Sequence, residues 1–135
     1  MIYGDSFKNK EEFPENTNST FVELFKDTTV DSAENLILPP VTNYYGYYNM
    51  FTASRLRISP KLPAVSLESS CYSSMFKDCT FLIEAPELPA STLSSYCYSS
   101  MFSGCSSLLK APNLPATTLA QNCYQEMFFR CSNLA

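Results

Sequence analysis

Apolar residues between positions 93 and 105 follow a helical spacing. Their successive steps of 4, 1, 3, 1 and 3 place them on one face of an α-helix: Leu93, Cys97, Tyr98, Met101, Phe102 and Cys105. The opposite face carries five serines: Ser94, Ser95, Ser99, Ser100 and Ser103. Thr92 can cap the start of this helix and Gly104 suits its end. The pattern predicts one amphipathic helix.

A short extended segment precedes the predicted helix. Residues 82–88 read Leu-Ile-Glu-Ala-Pro-Glu-Leu, an apolar-polar stretch that suits a brief strand. Pro86 removes one backbone donor, so this strand must be short or irregular, and Pro89 then turns the chain. The predicted unit is therefore one short strand followed by one helix.

This unit recurs along the chain with a period of about 26 residues. Three positions repeat so strictly that they form ladders. The ladders are Phe21, Tyr47, Tyr72, Tyr98 and Tyr124, then Leu24, Met50, Met75, Met101 and Met127, then Phe25, Phe51, Phe76, Phe102 and Phe128. A fixed period in this range predicts a solenoid in which each ladder residue packs against its own copies.

The repeats define the predicted domain organisation. Residues 1–15 are an N-terminal segment that we interpret as a partial cap, and residues 16–135 form the repeat array. The repeat cores lie near 21–25, 47–51, 71–79, 97–105 and 123–131. Residues 131–135 open another repeat without a polar cap, so we expect the array to be truncated there. The predicted fold class is α/β, a leucine-rich-repeat solenoid of about five 26-residue repeats, each with a short parallel strand and a helix.

The repeated residues resemble the BspA-type leucine-rich repeat over roughly residues 16–135. The resemblance rests on Cys79, Leu82, Ala85, Pro86, Leu88, Pro89, Leu93, Cys97, Tyr98, Met101, Phe102 and Cys105. The repeats here are longer than the commonest form, and Tyr-x-x-Met-Phe stands where Ala-Phe is usual. The resemblance implies a surface protein of gut or oral bacteria or of a protist, with an adhesive role toward host proteins, microbes or glycans. Related repeats in phage-encoded proteins of gut bacteria imply a virion location as the alternative.

Composition excludes several other classes. The net charge is −4, and no basic residues cluster, so nucleic acid is not an expected partner. No apolar run is long enough to form a membrane span. Residues 1–20 are polar and contain Pro14, unlike a signal peptide. Either the chain is not exported through that route, or it is an internal segment of a longer exported protein, which is the favoured interpretation.

The six cysteines form two further ladders, Cys71, Cys97 and Cys123, and Cys79, Cys105 and Cys131. The sequence has no Cys-x-x-Cys and no histidine, so we expect neither a metal site nor a cofactor. Small residues such as Gly46 and Ser54 replace cysteine in the weaker repeats. Buried free thiols are the favoured interpretation, and disulfides between successive repeats are the alternative.

Catalytic residues are not expected. Without histidine, the serines and cysteines have no evident base. A pair of carboxylates, Glu84 with Glu87, is the remaining enzymatic option. Lys110 and Asn113 replace these acids in the next repeat, so a solvated surface is the favoured interpretation and the chain is predicted not to be an enzyme.

Two surfaces are candidate binding sites. The first is aromatic: Tyr44, Tyr45, Tyr48 and Tyr96 stand where neighbouring repeats mostly have serine. These tyrosines either pack against the N-terminal segment through Phe7 or Phe13, or form an exposed recognition patch. The second surface is the strand face, with Arg57, Lys61, Glu84, Glu87, Lys110 and Asn113 as candidates.

The predicted function is that of a non-catalytic surface or extracellular binding module, which recognises a host protein or glycan. The alternative is a structural or spacer component of a larger assembly such as a phage particle. Self-association through open solenoid ends would accompany that alternative, because exposed apolar ends favour association.

Overall fold

The computed structural model describes Glu11–Glu12, residues 21–40 and residues 43–135. Its strands are β1 (Glu11–Glu12) and β2 (Leu36–Ile37), which pair in parallel with Glu11 opposite Leu36 and Glu12 opposite Ile37. The predicted partial cap at residues 1–15 lies outside the described residues, apart from the backbone of β1. The prediction that Phe7 or Phe13 packs against the tyrosines also lies outside them.

The sequence period is visible in the structure as a stack of parallel rungs, one per repeat. Single residue pairs join successive rungs in parallel, and the partners are one repeat apart: Ser32 with Ile58, Glu84 with Lys110, Ser66 with Thr92, and Thr92 with Thr118. These pairs place equivalent residues of neighbouring rungs beside one another, as in a solenoid.

The prediction of a helix in each repeat is wrong, and with it the α/β leucine-rich-repeat fold class. No α-helix is present in the described residues. The segments predicted to be helical are runs of consecutive turns, which we call turn ribbons. The turn ribbons span 21–27, 44–53, 69–78, 95–104 and 121–130.

Hydrogen bonding in the turn ribbons alternates from residue to residue. The Met75 N–H donates to the Tyr72 carbonyl three residues back, at 3.1 Å, and closes a turn within the rung. The next N–H, of Phe76, donates to the Met101 carbonyl on the following rung at 3.0 Å. Half of the N–H groups are thus bonded within the rung and half to the next rung, whereas a helix would bond them all internally. The buried backbone groups of the turn ribbons therefore have hydrogen-bond partners without any helical bonds.

Positive φ angles recur at every fourth residue of the turn ribbons. Ser74, with φ of 55°, is the third residue of the turn from Tyr72 to Met75, a position that takes positive φ in type II turns. The same position in other turns is held by Glu23, Asp27, Tyr45, Asn49, Ala53, Ser70, Asp78, Tyr96, Ser100, Gly104, Asn122, Glu126 and Arg130. None of these residues is β-branched, which avoids the severest steric conflict at positive φ.

The three predicted ladders lie in the core, together with buried leucines and cysteines. Rings of neighbouring rungs stack nearly parallel in two continuous columns, as in the pair Phe51 and Phe76, whose centroids are 5.7 Å apart at 5°. The other stacked pairs are Phe21 with Tyr47, Tyr47 with Tyr72, Tyr72 with Tyr98, Tyr98 with Tyr124, Phe25 with Phe51, Phe76 with Phe102, and Phe102 with Phe128. Met50, Met75 and Met101 are fully buried beside these rings.

The second cysteine ladder links the rungs through its thiols. Cys79, Cys105 and Cys131 each place Sγ 3.1 Å from a carbonyl of the preceding rung, on Phe51, Phe76 and Phe102 respectively. All six cysteines are free thiols, and five of them are buried. Burial raises the pKa of the Cys79 thiol to about 12 and that of the Cys97 thiol to about 11. These thiols serve as small core residues that also donate a weak hydrogen bond.

Native alkylation is expected to distinguish the cysteines. Iodoacetamide at pH 8 should modify the partly buried Cys131 first and leave Cys79 and Cys105 unmodified until the chain unfolds, because the thiolate is the reactive species. Mass spectrometry of proteolytic fragments before and after urea treatment would measure this order. Cysteines that resist alkylation even in urea, with the mass of a disulfide, would contradict the buried-thiol interpretation.

Candidate binding site on the extended face

The segments between the turn ribbons form the second side of the molecule, which we call the extended face. It comprises residues 55–63, 81–89 and 107–115 of three successive rungs. The six strand-face candidates lie here, two on each rung: Arg57 and Lys61, Glu84 and Glu87, Lys110 and Asn113.

Shallow depressions run along the extended face where neighbouring rungs meet. One depression of about 360 Å³ lies between residues 83–85 and 109–113 and includes Glu84 and Lys110. An adjoining one of about 400 Å³ lies between residues 59–63 and 86–89 and includes Lys61 and Glu87. The structure therefore places the strand-face candidates along one continuous, uneven surface.

Prolines line these depressions at recurrent positions. Pro60 and Pro63 on one rung are followed by Pro86 and Pro89 on the next, and Pro112 and Pro115 occupy the same positions one rung later. Residues 86–90 form no hydrogen bonds to other backbone groups within the described part of the chain. The extended face thus differs from the turn ribbons, whose backbone groups are committed to one another.

Charge changes sign from rung to rung on the extended face. Arg57 and Lys61 are basic, Glu84 and Glu87 on the next rung are acidic, and Lys110 follows on the third. Glu84 lies directly opposite Lys110 in the parallel pairing, so their charges favour the observed alignment of the two rungs. A ligand on this face meets alternating charge instead of a single-sign patch.

The extended face also exposes three aliphatic side chains. Ile58, Ile83 and Leu109 are all exposed, and each belongs to a depression between rungs. Apolar contact area beside polar and charged groups is a composition found at protein–protein interfaces. The two acids considered for catalysis, Glu84 and Glu87, are both exposed on this surface.

Of the four candidate tyrosines, Tyr44, Tyr45 and Tyr48 lie on one rung, and Tyr96 lies apart from them. Tyr44 is 56% exposed and Tyr45 is 50% exposed, whereas Tyr48 is partly buried. The rings of Tyr45 and Tyr48 meet edge to face, with centroids 5.7 Å apart. Tyr96 stands two rungs away from Tyr45, and its hydroxyl accepts a 2.8 Å hydrogen bond from the Asn122 side chain. The tyrosines lie on the turn ribbons, not on a helix as predicted.

Sequence reasoning missed one further cluster, at the edge of the extended face. Thr29, Asp31, Arg55, Arg57 and Phe81 surround a depression of about 330 Å³ that spans three rungs. Only Arg57 was among the predicted candidates. Aligning the repeats could have indicated this cluster, because one of its positions shares no residue type between rungs. That position is occupied by Thr29, Arg55, Phe81 and Ser107 in successive rungs.

Neither metal-binding clusters nor membrane-spanning helices occur in the part of the chain that the structure describes. No protein-family model matches the chain, and no significant match was found among curated proteins or solved structures. The resemblance to BspA-type repeats therefore stays a prediction from the sequence.

Proposed function

We propose that this chain is a non-catalytic recognition module of a longer surface or extracellular protein, and that it binds a host protein or glycan along the extended face. One observation supports this proposal above others. The buried positions of the turn ribbons repeat the same residue types, and the ribbon backbone is committed to stacking. The exposed charged and aliphatic positions of the extended face change from rung to rung and line contiguous depressions. Variation on a constant scaffold is typical of solenoid binding surfaces.

Affinity on such a surface arises from many modest contacts. The depressions are shallow, and the exposed aliphatic and charged side chains are spread over three rungs. An extended partner that crosses several rungs would bury the exposed side chains of Ile58, Ile83 and Leu109. Its charged groups would meet Lys61, Glu87 and Lys110. Electrostatic complementarity of this kind contributes specificity and association rate more than raw affinity.

The test compares two variants of the intact chain on immobilised mammalian glycans and extracellular-matrix proteins. The extended-face variant carries Lys61→Asn, Glu87→Asn and Lys110→Ser. The ribbon variant carries Tyr44→Ser, Tyr45→Ser and Tyr48→Ser, which are the residues of the next rung. We expect the extended-face variant to lose roughly tenfold or more in affinity, since a few central residues usually dominate an interface. The ribbon variant should bind as the wild type does. The opposite result would move the site to the tyrosines.

A structural role is the second candidate. It is favoured by the direct backbone hydrogen bonds between rungs, since the same bonds can join rungs of separate chains. This role predicts self-association that grows with protein concentration, together with no binding to any arrayed ligand. Multi-angle light scattering over a range of concentrations would separate it from the recognition function.

A further inference from the structure

The depression bounded by Thr29, Asp31, Arg55, Arg57 and Phe81 differs from the rest of the extended face, because it combines two cations with an aromatic wall. Its volume of about 330 Å³ lies near the lower end of the roughly 300–1,000 Å³ of ordinary small-ligand pockets. The space is large enough for one compact chemical group.

The two arginines point to an anionic ligand. Arg55 and Arg57 flank the fully buried Leu56, and both line this depression. Arg57 lies 3.5 Å from the Asp31 carboxylate, which orients its guanidinium. Arg55 has no ionic partner within the described part of the chain. A guanidinium of this kind binds carboxylates through two parallel hydrogen bonds.

The remaining walls supply what a sugar ring requires. Phe81 is 49% exposed and gives a flat apolar surface. The Thr29 hydroxyl can donate or accept a hydrogen bond, and the Asp31 carboxylate can accept one from a ligand hydroxyl. We propose that this pocket binds the acidic sugar of a glycan, a pyranose that carries a carboxylate. This proposal rests on the proposed recognition function.

Other classes of ligand would contact only some of the groups that line the pocket. A neutral sugar leaves the charge of Arg55 unmatched, and inorganic phosphate leaves the face of Phe81 uncovered. An acidic peptide satisfies the arginines but brings no pyranose ring to cover the face of Phe81. The arginine pair is not repeated two rungs later, where Ser107 and Leu109 occupy the equivalent positions. A single acidic unit per chain is therefore the expected stoichiometry.

Isothermal titration calorimetry on the whole chain tests this pocket. The probes are the methyl glycosides of N-acetylneuraminic acid and glucuronic acid, with methyl galactoside as the neutral control, galactose 6-sulfate as an alternative anion, and a glutamate-rich peptide. We expect saturable binding of a carboxylated glycoside only. Arg55→Ser, which introduces the residue found at position 107, should weaken that binding about 10- to 100-fold, as expected for loss of a charged hydrogen-bonding partner.

Two further variants make the result specific. Phe81→Ser should also weaken binding, whereas Lys77→Ser, which removes the same charge from an exposed position on a turn ribbon, should leave it unchanged. Far-UV circular dichroism confirms that each variant is folded. Equal binding of methyl galactoside, preference for the sulfate or the peptide, or an unaltered Arg55→Ser affinity would overturn the proposal.

The pocket and the wider recognition function can fail separately. Arrayed ligands that respond to the Lys61, Glu87 and Lys110 substitutions but not to Arg55→Ser would uphold the extended face and overturn this pocket. A carboxylated glycoside that binds in calorimetry while no arrayed ligand binds along the extended face would uphold the pocket alone.

Discussion

Replacing Phe76 with alanine is expected to lower the free energy of unfolding by about 3–5 kcal/mol, the usual range for truncating a buried phenylalanine. Phe76 is fully buried, and its ring stacks on Phe51 at 5.7 Å and on Phe102 at 5.6 Å. The substitution therefore removes two ring contacts at once and leaves a cavity in the middle of the column. Because domains are typically stable by only about 5–15 kcal/mol, the variant should lose much of its resistance to urea.

Phe129→Ala is the matched control for this prediction. Phe129 is 50% exposed, and its main partner is the Arg130 guanidinium, 5.2 Å from the ring centroid. Its truncation should cost no more than about 1 kcal/mol, the value of an exposed cation–π contact. Urea titrations monitored by tyrosine fluorescence and far-UV circular dichroism would give both values. Similar midpoints for the two variants would mean that the phenylalanine column does not stabilise the fold.

Ser74→Pro is expected to destabilise the fold by about 3 kcal/mol or more, because proline conflicts with this position in two ways. The proline ring holds φ at a negative value, whereas Ser74 has φ of 55°. Proline also lacks the N–H that donates to the Ser99 carbonyl on the next rung at 2.9 Å. The substitution breaks one link between the third and fourth rungs and forces the turn to change. The loss would be measured as the shift of the thermal and urea midpoints.

Ser74→Gly separates the turn ribbon from the helix that the sequence predicted. At positive φ, glycine relieves about 1 kcal/mol of steric conflict, and it keeps the N–H to Ser99. We therefore expect a stability equal to or slightly above that of the wild type. In a helix the same substitution would be destabilising by roughly half a kcal/mol. A clear loss of stability in Ser74→Gly would contradict the turn ribbon.

The period and the ladders could be read from the sequence, but the conformation between them could not. Cys71, Tyr72, Met75, Phe76 and Cys79 stand at positions i, i+1, i+4, i+5 and i+8. At about 100° per residue these positions span one helical face, so a helix explains them well. A ribbon with a four-residue period explains them equally well, and so short a segment cannot separate periods of 3.6 and 4.0.

The residues that adopt positive φ carried the better signal. Positions such as Asn49, Asp78, Gly104 and Asn122 recur in one register with serines, and these residue types favour turns over helix interiors. Strong helix formers are scarce in the ribbons at 44–53, 69–78 and 95–104. The intrinsic preferences of these residues therefore argued against a helix. The helix was predicted because the spacing of the apolar residues was given more weight than these preferences.

Part of the candidate site could likewise be predicted from the sequence, and part of it could not. The strand-face candidates were chosen because the residue types at equivalent positions differ from repeat to repeat. In the structure they line neighbouring depressions, and their role in binding stays a prediction. Arg55 and Phe81 were missed because they line a depression together with Thr29 and Asp31, which lie on another rung. Side chains from different rungs come together only where the ends of the short turns bring them close. The positions of those ends cannot be read from the sequence.

The hydrogen bonds between turn ribbons all run in one direction. In the described ribbons the N–H always belongs to the earlier rung and the carbonyl to the later one, from the pair Glu23 and Tyr48 to the pair Gly104 and Phe129. The peptide dipoles of these links therefore add along the stack, as they do in an α-helix, with the positive end toward the later rungs. The ribbon side of the solenoid is thus an electrically polar rod. Two such rods can join through their ribbons only head to tail, since head-to-head contact would oppose donor to donor.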